Sequence, residues 1–246
     1  MIPTHRLLLQ PAFDPFRLPG LVLYLDASVY GSVLTAGVPS VDGDAVDTWR
    51  DLSGKGNHAT QATAAAKPLC KLAIVNGRAV LRFDGGDDKL NTTNNLPGGS
   101  GGYTITVVQA PDASTGQYGW IGWGPASANN HIGFRQNPAI AGYTDWWYSN
   151  DLSVSVAITA LQFRILTSRF DGVTRTILRD GLQLASDLPV GKNTTASIAT
   201  IGASSPTGEF FDGDIAAILV CEGGLSNTNL RKLHRWAGRR YNIAVS

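Results

Sequence analysis

The chain has 246 residues, a formal net charge of +1, 43% hydrophobic residues, 16% charged residues and 28 glycines. Near neutrality gives no broad attraction to nucleic acid or to an anionic membrane, and so few charges argue against helical bundles, whose wet faces need Glu, Lys and Arg. No apolar run approaches the roughly 20 residues of a membrane span, while the length suits one large all-β domain whose core needs no staples.

The opening MIPTHRLLLQPAFDPF carries His5 and Arg6 but only three leucines before Gln10 and Pro11. That apolar centre is too short for a signal peptide, so the expectation is a chain made inside the cell and left unprocessed. Residues 1–18 read as an N-terminal extension and 19–246 as one domain. LVLYL from Leu21 is continuously apolar, as in a strand covered on both faces. DLSGKGNHATQ, from Asp51 to Gln61, lacks the glycine spacing and the Ser or Thr of a phosphate cradle and reads as a connection.

RAVLRFDGG alternates, with Ala79, Leu81 and Phe83 pointing one way and Arg78, Val80 and Arg82 the other. In LPGGSGG, Gly98 to Gly102 match Gly-x-Ser-x-Gly. A nucleophile elbow needs a helix next, and the strand GGYTITVVQA, with Tyr103, Ile105 and Val107 on one face, follows instead. FRILTSRFDGVTRTILRDGLQLAS reads as a three-strand meander. The Asp-Gly pairs at Asp42, Asp84, Asp171, Asp180 and Asp212 read as tight hairpin turns. Only LSNTNLRKLHRWAGRRYNI looks like a good helix. Ser226 is its N-cap, Leu225 can staple against Leu230, and Leu230, Leu233, Ala237 and Tyr241 form its apolar stripe. Arg231, Lys232, Arg235 and Arg239 lie opposite, on a face that is either solvated or docked on an acidic partner.

Cys70 and Cys221 read as buried free thiols rather than a bridge, given the missing export signal. Without secretion the sequons at Asn91 and Asn193 carry no meaning. Catalytic machinery is hard to find. Glutamate occurs only at Glu209 and Glu222, no Glu-x-Asp-x-x-Glu run exists, and most aspartates sit where turns need them. His5, His58, His131 and His234 share no metal spacing, and neither His-Glu-x-x-His nor Cys-x-x-Cys occurs. No catalytic residue and no required cofactor are therefore expected. A structural calcium ion is conceivable on Asp26, Asp51, Asp88 and Asp214, though no EF-hand spacing supports it.

Aromatic residues cluster in the middle of the chain: Trp120, Trp123, Tyr143, Trp146, Trp147 and Tyr148. In one reading they stack against a sugar or a partner. The candidate binding set is then Trp123, His131, Arg135, Trp146, Trp147, Tyr148, Asn150 and Asp151. In the other, alternate residues such as Trp146 and Tyr148 pack in the core, which leaves Trp147 facing outward or onto a partner.

LVLYLDAS, followed by VDTWRDLSGKGNHATQ and NGRAVLRFDGGDDKL, resembles the entry segment of laminin-G-like, concanavalin A-like jelly-roll domains. EFFDGDIAAILVCEGGLSNTNLRKLHRWAGRRYNI is similar to that family's closing strand and short helix, and the meander to its centre, so the resemblance spans roughly residues 19 to 243. It implies an all-β fold, a two-sheet antiparallel jelly-roll sandwich with a short C-terminal helix, in which the loop from Asp51 gives shape. Members of the family include lectin-like modules, adhesion domains, glycan hydrolases and bacteriophage structural proteins.

The resemblance and the missing acidic pair together imply a non-enzymatic binding or structural module. The setting they imply is a virion component (capsid decoration, tail or fibre-associated) made in a host cytoplasm. The expected partners are a virion structural protein, a surface glycan or, at sheet edges, copies of the same chain, and neither nucleic acid nor membrane. Two alternatives stay open. One is a cytoplasmic or cell-surface lectin-like protein that binds carbohydrate. The other is a polysaccharide hydrolase or lyase that would depend on a carboxylate such as Asp151.

Overall fold

A computed structural model describes residues 13–205 and 208–246. The leading stretch with His5 and Arg6 lies outside the described residues. The chain forms two large antiparallel sheets stacked face to face, with one helix at the C-terminal end. The first sheet has eight strands. Across it, in order, lie Leu182–Asp187, Arg175–Arg179, Arg164–Phe170, Tyr103–Pro111, Asp212–Glu222, Arg78–Asp84 and Leu69–Val75. Leu21–Asp26 pairs with the far half of Asp212–Glu222. The second sheet has ten strands, from Leu152–Ser155 at one edge through Gly142–Trp146, Ile132–Asn137 and Tyr118–Trp123 to short strands at the other.

The alternation in the sequence builds the core. Leu23, Leu25, Leu81, Phe83, Ile105 and Val107 of the first sheet meet Trp120, Ile121, Phe134 and Tyr143 of the second in one buried cluster. The outer face of the first sheet is covered too, which is why all nine residues of Tyr103–Pro111 are buried. The cover is the helix Asn227–Tyr241. Ser226 Oγ caps it by accepting from Asn229 N, and Asn242 ends it in a left-handed conformation. A helix of this length is marginal alone, so its buried stripe decides its stability. Leu230 and Leu233 pack on Tyr24, Leu219 and Cys221, while Ala237 and Tyr241 pack on Val80, Val108 and Ile165. No helix among the described residues is long and apolar enough to cross a membrane.

Residues 13–18, counted with the extension in the sequence reading, pack on the domain: the Phe13 ring lies 6.4 Å from Trp236, and Phe16 lies 5.4 Å from Tyr24. The meander, the helix cap and the alternation of Arg78–Asp84 agree with the sequence, and both cysteines are buried and unbridged. The loop from Asp51 also agrees: Asp51 accepts from the backbone N–H of Tyr24, Ser53 and Asn57, and Asn57 Nδ2 donates to Val22 O.

Three Asp-Gly readings are corrected. Asp42-Gly43 closes no hairpin, because the strands before and after it, Val38–Pro39 and Thr48–Trp49, each pair with Val33–Thr35 and not with each other. Asp212-Gly213 lies inside a strand, where Gly213 has φ 142° and an added Cβ would sit 2.3 Å from Ala110 O. Close backbone approach, not a turn, requires that glycine. Asp84-Gly85 closes no hairpin, because the next strand, Leu90–Leu96, belongs to the other sheet.

Candidate functional site

The outer face of the second sheet carries the arrangement best suited to a ligand. It is built on Tyr118–Trp123, Ile132–Asn137 and Gly142–Trp146. A small hairpin, Ala203–Ser205 with Gly208–Phe210, folds back over these strands. The hairpin sits close because Gly119 and Gly122 lack side chains; an added Cβ there would lie 1.8 and 2.1 Å from Ser204 backbone atoms. His131 is buried beneath it, with Nδ1 2.9 Å from Gly124 O and Nε2 2.8 Å from Ser204 O. Burial pushes His131 below its ordinary pKa, although the two carbonyls pull the other way.

Trp146 pairs across the ladder with Gly133, and its ring lies over that bare position. The Arg135 guanidinium stands 4.2 Å from the ring centroid, and His131 meets the ring at 4.6 Å. Arg135 also pairs with Glu209 from the hairpin, whose carboxylate accepts from Gln117 and Ser204 as well. Beyond Trp146 the chain turns in on itself. Tyr148 and Ser149 both take left-handed backbone, with φ 58° and 82°, and the Tyr148 ring comes 5.3 Å from Trp146 at 30° to it. Asp151 Oδ1 closes this loop by accepting from Trp147 N at 3.0 Å, while Asn150 Nδ2 ties it to Asn129 Oδ1 and Val190 O. Trp146 and Tyr148 are thus presented at the surface, one half-buried and the other 36% exposed.

The structure sorts the candidate set. Arg135, Trp146 and Tyr148 come together, with His131 supporting them from below. Asn150 and Asp151 hold the loop, and burial pushes the Asp151 carboxyl above its ordinary range. Trp123 is corrected: it is buried, its Nε1 donates to Pro97 O, and its ring packs on Tyr103.

Trp147 is corrected as well. It is 0% exposed and points into the sandwich, the reverse of the outward orientation expected for it. The reason is the phase of the strand: Asp145 and Trp147 face inward, so Trp146 and Tyr148 face out. Inside, Trp147 Nε1 donates to Tyr103 Oη, and Asp145 accepts from Tyr103 and Ser168. The Arg175 guanidinium lies 4.2 Å from the Trp147 centroid and 3.9 Å from Asp145. Glu209, Gln117 and Ser204 were missed from sequence.

The four aspartates considered for calcium do not converge. Asp26 pairs with Arg240, Asp214 pairs with Arg82, and Asp51 holds its loop. Only Asp88 meets other carboxylates. Its oxygen lies within 4.8 Å of those of Asp84 and Asp87, and burial with the Asp84 charge pushes it up to about 6. Oxygen ligands of that kind suit a hard cation, and exposed carboxylates also gather without one.

No protein-family model matches the chain, and no curated protein matches its sequence. Solved structures of the same shape do. Domain 4 of AbnA, a GH43 extracellular arabinanase from Geobacillus stearothermophilus, in complex with arabinotriose, superposes with a TM-score of 0.60 at 15% identity, covering 88% of this chain and 99% of that one. The binding domain of Paraclostridial Mosquitocidal Protein 1 gives 0.58 at 12% identity over 89% and 52%. An arabinofuranosidase complexed with arabinofuranosyl-alpha-1,2-xylobiose gives 0.61 at 14% identity over 92% and 59%, so this chain spans little more than half of that protein. At such identities the likeness shows a shared β-sandwich fold.

Proposed function

We propose that the chain is a non-catalytic binding module that recognises carbohydrate through the Trp146–Tyr148 patch. One observation carries this reading: two aromatic rings, 5.3 Å apart and inclined at 30°, are presented at the surface by a loop with two consecutive non-glycine residues in left-handed backbone. Strain of that kind costs about 1–3 kcal/mol per residue, persists only where the surroundings enforce it, and collects at ligand sites. A sugar's CH face suits an aromatic ring, and the polar groups around Arg135 suit its hydroxyls. Because Arg135 and Glu209 neutralise each other, the patch suits a neutral sugar.

Acid–base cleavage of a glycoside needs two cooperating carboxylates. This cluster offers Glu209, already engaged by Arg135, Gln117 and Ser204, and Asp151, whose Oδ1 is taken up by Trp147 N in closing the loop. The AbnA domain seen with arabinotriose makes pentose oligosaccharides the first to test. For the setting we retain the virion component implied by the sequence resemblance, tested by co-sedimentation with purified particles.

The decisive experiment is a titration of neutral oligosaccharides, arabinotriose among them, followed by calorimetry. Wild type should bind at millimolar concentration or better. Trp146→Ala and Tyr148→Ala should each weaken binding about tenfold, equivalent to about 1.4 kcal/mol, with melting temperatures nearly unchanged. If no sugar binds, or the variants bind as wild type does, the patch is not a glycan site. Release of product from a polymer would overturn the non-catalytic reading.

A further inference from the structure

The other outer face of the sandwich holds a groove of about 860 Å³, between the C-terminal helix and the segment around Phe13–Leu18. Six cationic side chains line it against a single carboxylate, Asp14. In a chain of net charge +1, that is a strong local imbalance. Lys232, Arg235 and Arg239 recur at helical spacing and form one row about 10 Å long on one wall. All three are exposed and make no hydrogen bond or ion pair among the described residues. Arg17, 85% exposed, faces them from the opposite segment, 3.8 Å from Asp14. Arg240 differs, being tied to Asp26 and Ser28.

The floor is apolar, made by Phe13, Leu18 and Trp236. Trp236 is already packed: Arg240 lies 5.6 Å from its centroid, and Tyr24 and Phe13 approach at 6.1 and 6.4 Å. The preceding residues, MIPTHRLLLQPA, contain His5 and Arg6 and no acidic residue, so their charge has the same sign as the groove's.

We infer that this groove docks an acidic segment of a partner protein. Several Asp or Glu carboxylates would lie along Lys232, Arg235 and Arg239, and an apolar side chain would lie against the packed Phe13 and Trp236 rings. Charge opposite charge steers such an encounter and fixes its register, while the apolar anchor slows release. The site is separate from the Trp146–Tyr148 patch and does not depend on it.

The test uses the full chain and fluorescence anisotropy with a fluorescein-labelled peptide of glutamates around a central leucine. Wild type should bind saturably at low ionic strength and more weakly as salt is raised. The triple variant Lys232→Gln, Arg235→Gln, Arg239→Gln should raise Kd at least about tenfold with an unchanged melting curve, since these side chains hold nothing else among the described residues. Arg17→Ala, on a different element, should raise it several-fold and serves as the check if the triple variant folds poorly. Replacing the peptide's leucine with glutamine should weaken binding too. Equal binding by wild type and both variants overturns the proposal. So does indifference to the leucine, or a failure to bind the peptide alongside tight binding of a sulfated polysaccharide or single-stranded DNA.

Discussion

Trp146 and Trp147 are adjacent in the chain and live in opposite worlds. Trp146 lies on the outer face of the second sheet, between Arg135 and Tyr148, in a cluster that opens to water at Trp146 and Tyr148 above the buried His131. Trp147 lies in the sandwich under the Arg175 guanidinium, and both members of the Arg175–Asp145 pair are completely buried. The same pairing of an indole with an arginine recurs on both sides of the sheet, so side-chain type does not tell binding surface from brace. Solvent does. Inside, the charges have each other, Asp187, Tyr103, Ser168 and the Asn150 carbonyl to replace water, and breaking the set leaves an uncompensated charge.

The largest expected effect tests the inner half of this contrast. Arg175→Met should destabilise the fold by about 3–5 kcal/mol, the cost of leaving Asp145 buried without its cation. Guanidinium unfolding followed by tryptophan fluorescence would measure it. The double variant Arg175→Met, Asp145→Asn should recover much of the loss, because the amide carries no charge and its oxygen can still accept from Tyr103 and Ser168. A single variant within about 1 kcal/mol of wild type would mean that water reaches the pair and that the two sides of the sheet differ less than their burial indicates.

Next in size is Trp147→Ala, expected to cost about 3–5 kcal/mol through the cavity it leaves. It removes the hydrogen bond to Tyr103 and the ring packed 5.1 Å from Phe170. Any weakening of sugar binding in this variant should follow the fraction unfolded, whereas Trp146→Ala weakens binding with the fold intact. If the two substitutions have equal effects on stability, inside and outside have been assigned wrongly.

Much of the scaffold is legible in the sequence because its signals are local. Two-residue alternation marks Arg78–Asp84 and the meander, and the stripe from Leu230 to Tyr241 with Ser226 before it marks the helix. The candidate site is less legible, for a physical reason. In Tyr143-Thr144-Asp145-Trp146-Trp147-Tyr148, polar and aromatic residues do not alternate cleanly, so either phase looks acceptable. What fixes the phase is Arg175 on the other sheet, which pulls Asp145 inward. Glu209 was missed for a related reason: it becomes a partner of Arg135 only when its hairpin folds over Gly119 and Gly122, a contact without a short-range signature. The Asp212-Gly213 signal failed because a strand paired on both sides outweighs a local turn preference.

The opposite outer face sharpens the comparison through a second buried histidine. His131 lies under the ligand patch between two carbonyls, whereas His234 lies between the helix and the first sheet, its Nε2 2.9 Å from Thr167 Oγ1. Burial pushes His234 down to about 4. The unfolded chain takes up this proton near pH 6.5 and the native protein does not until about pH 4, so stability falls as pH drops through that window. The full loss is about 3 kcal/mol, reached near pH 4. His131 acts in the same direction, and Asp88, raised to about 6, acts in the opposite one, so the difference between wild type and His234→Gln is the quantity to measure. Glutamine cannot titrate and can still bond Thr167. Chemical denaturation at pH 7 and pH 4 should therefore show a smaller loss in the variant, by about 3 kcal/mol. Equal losses would mean that the imidazole takes its proton with the helix in place and that the cover on this face is as open to water as the patch on the other.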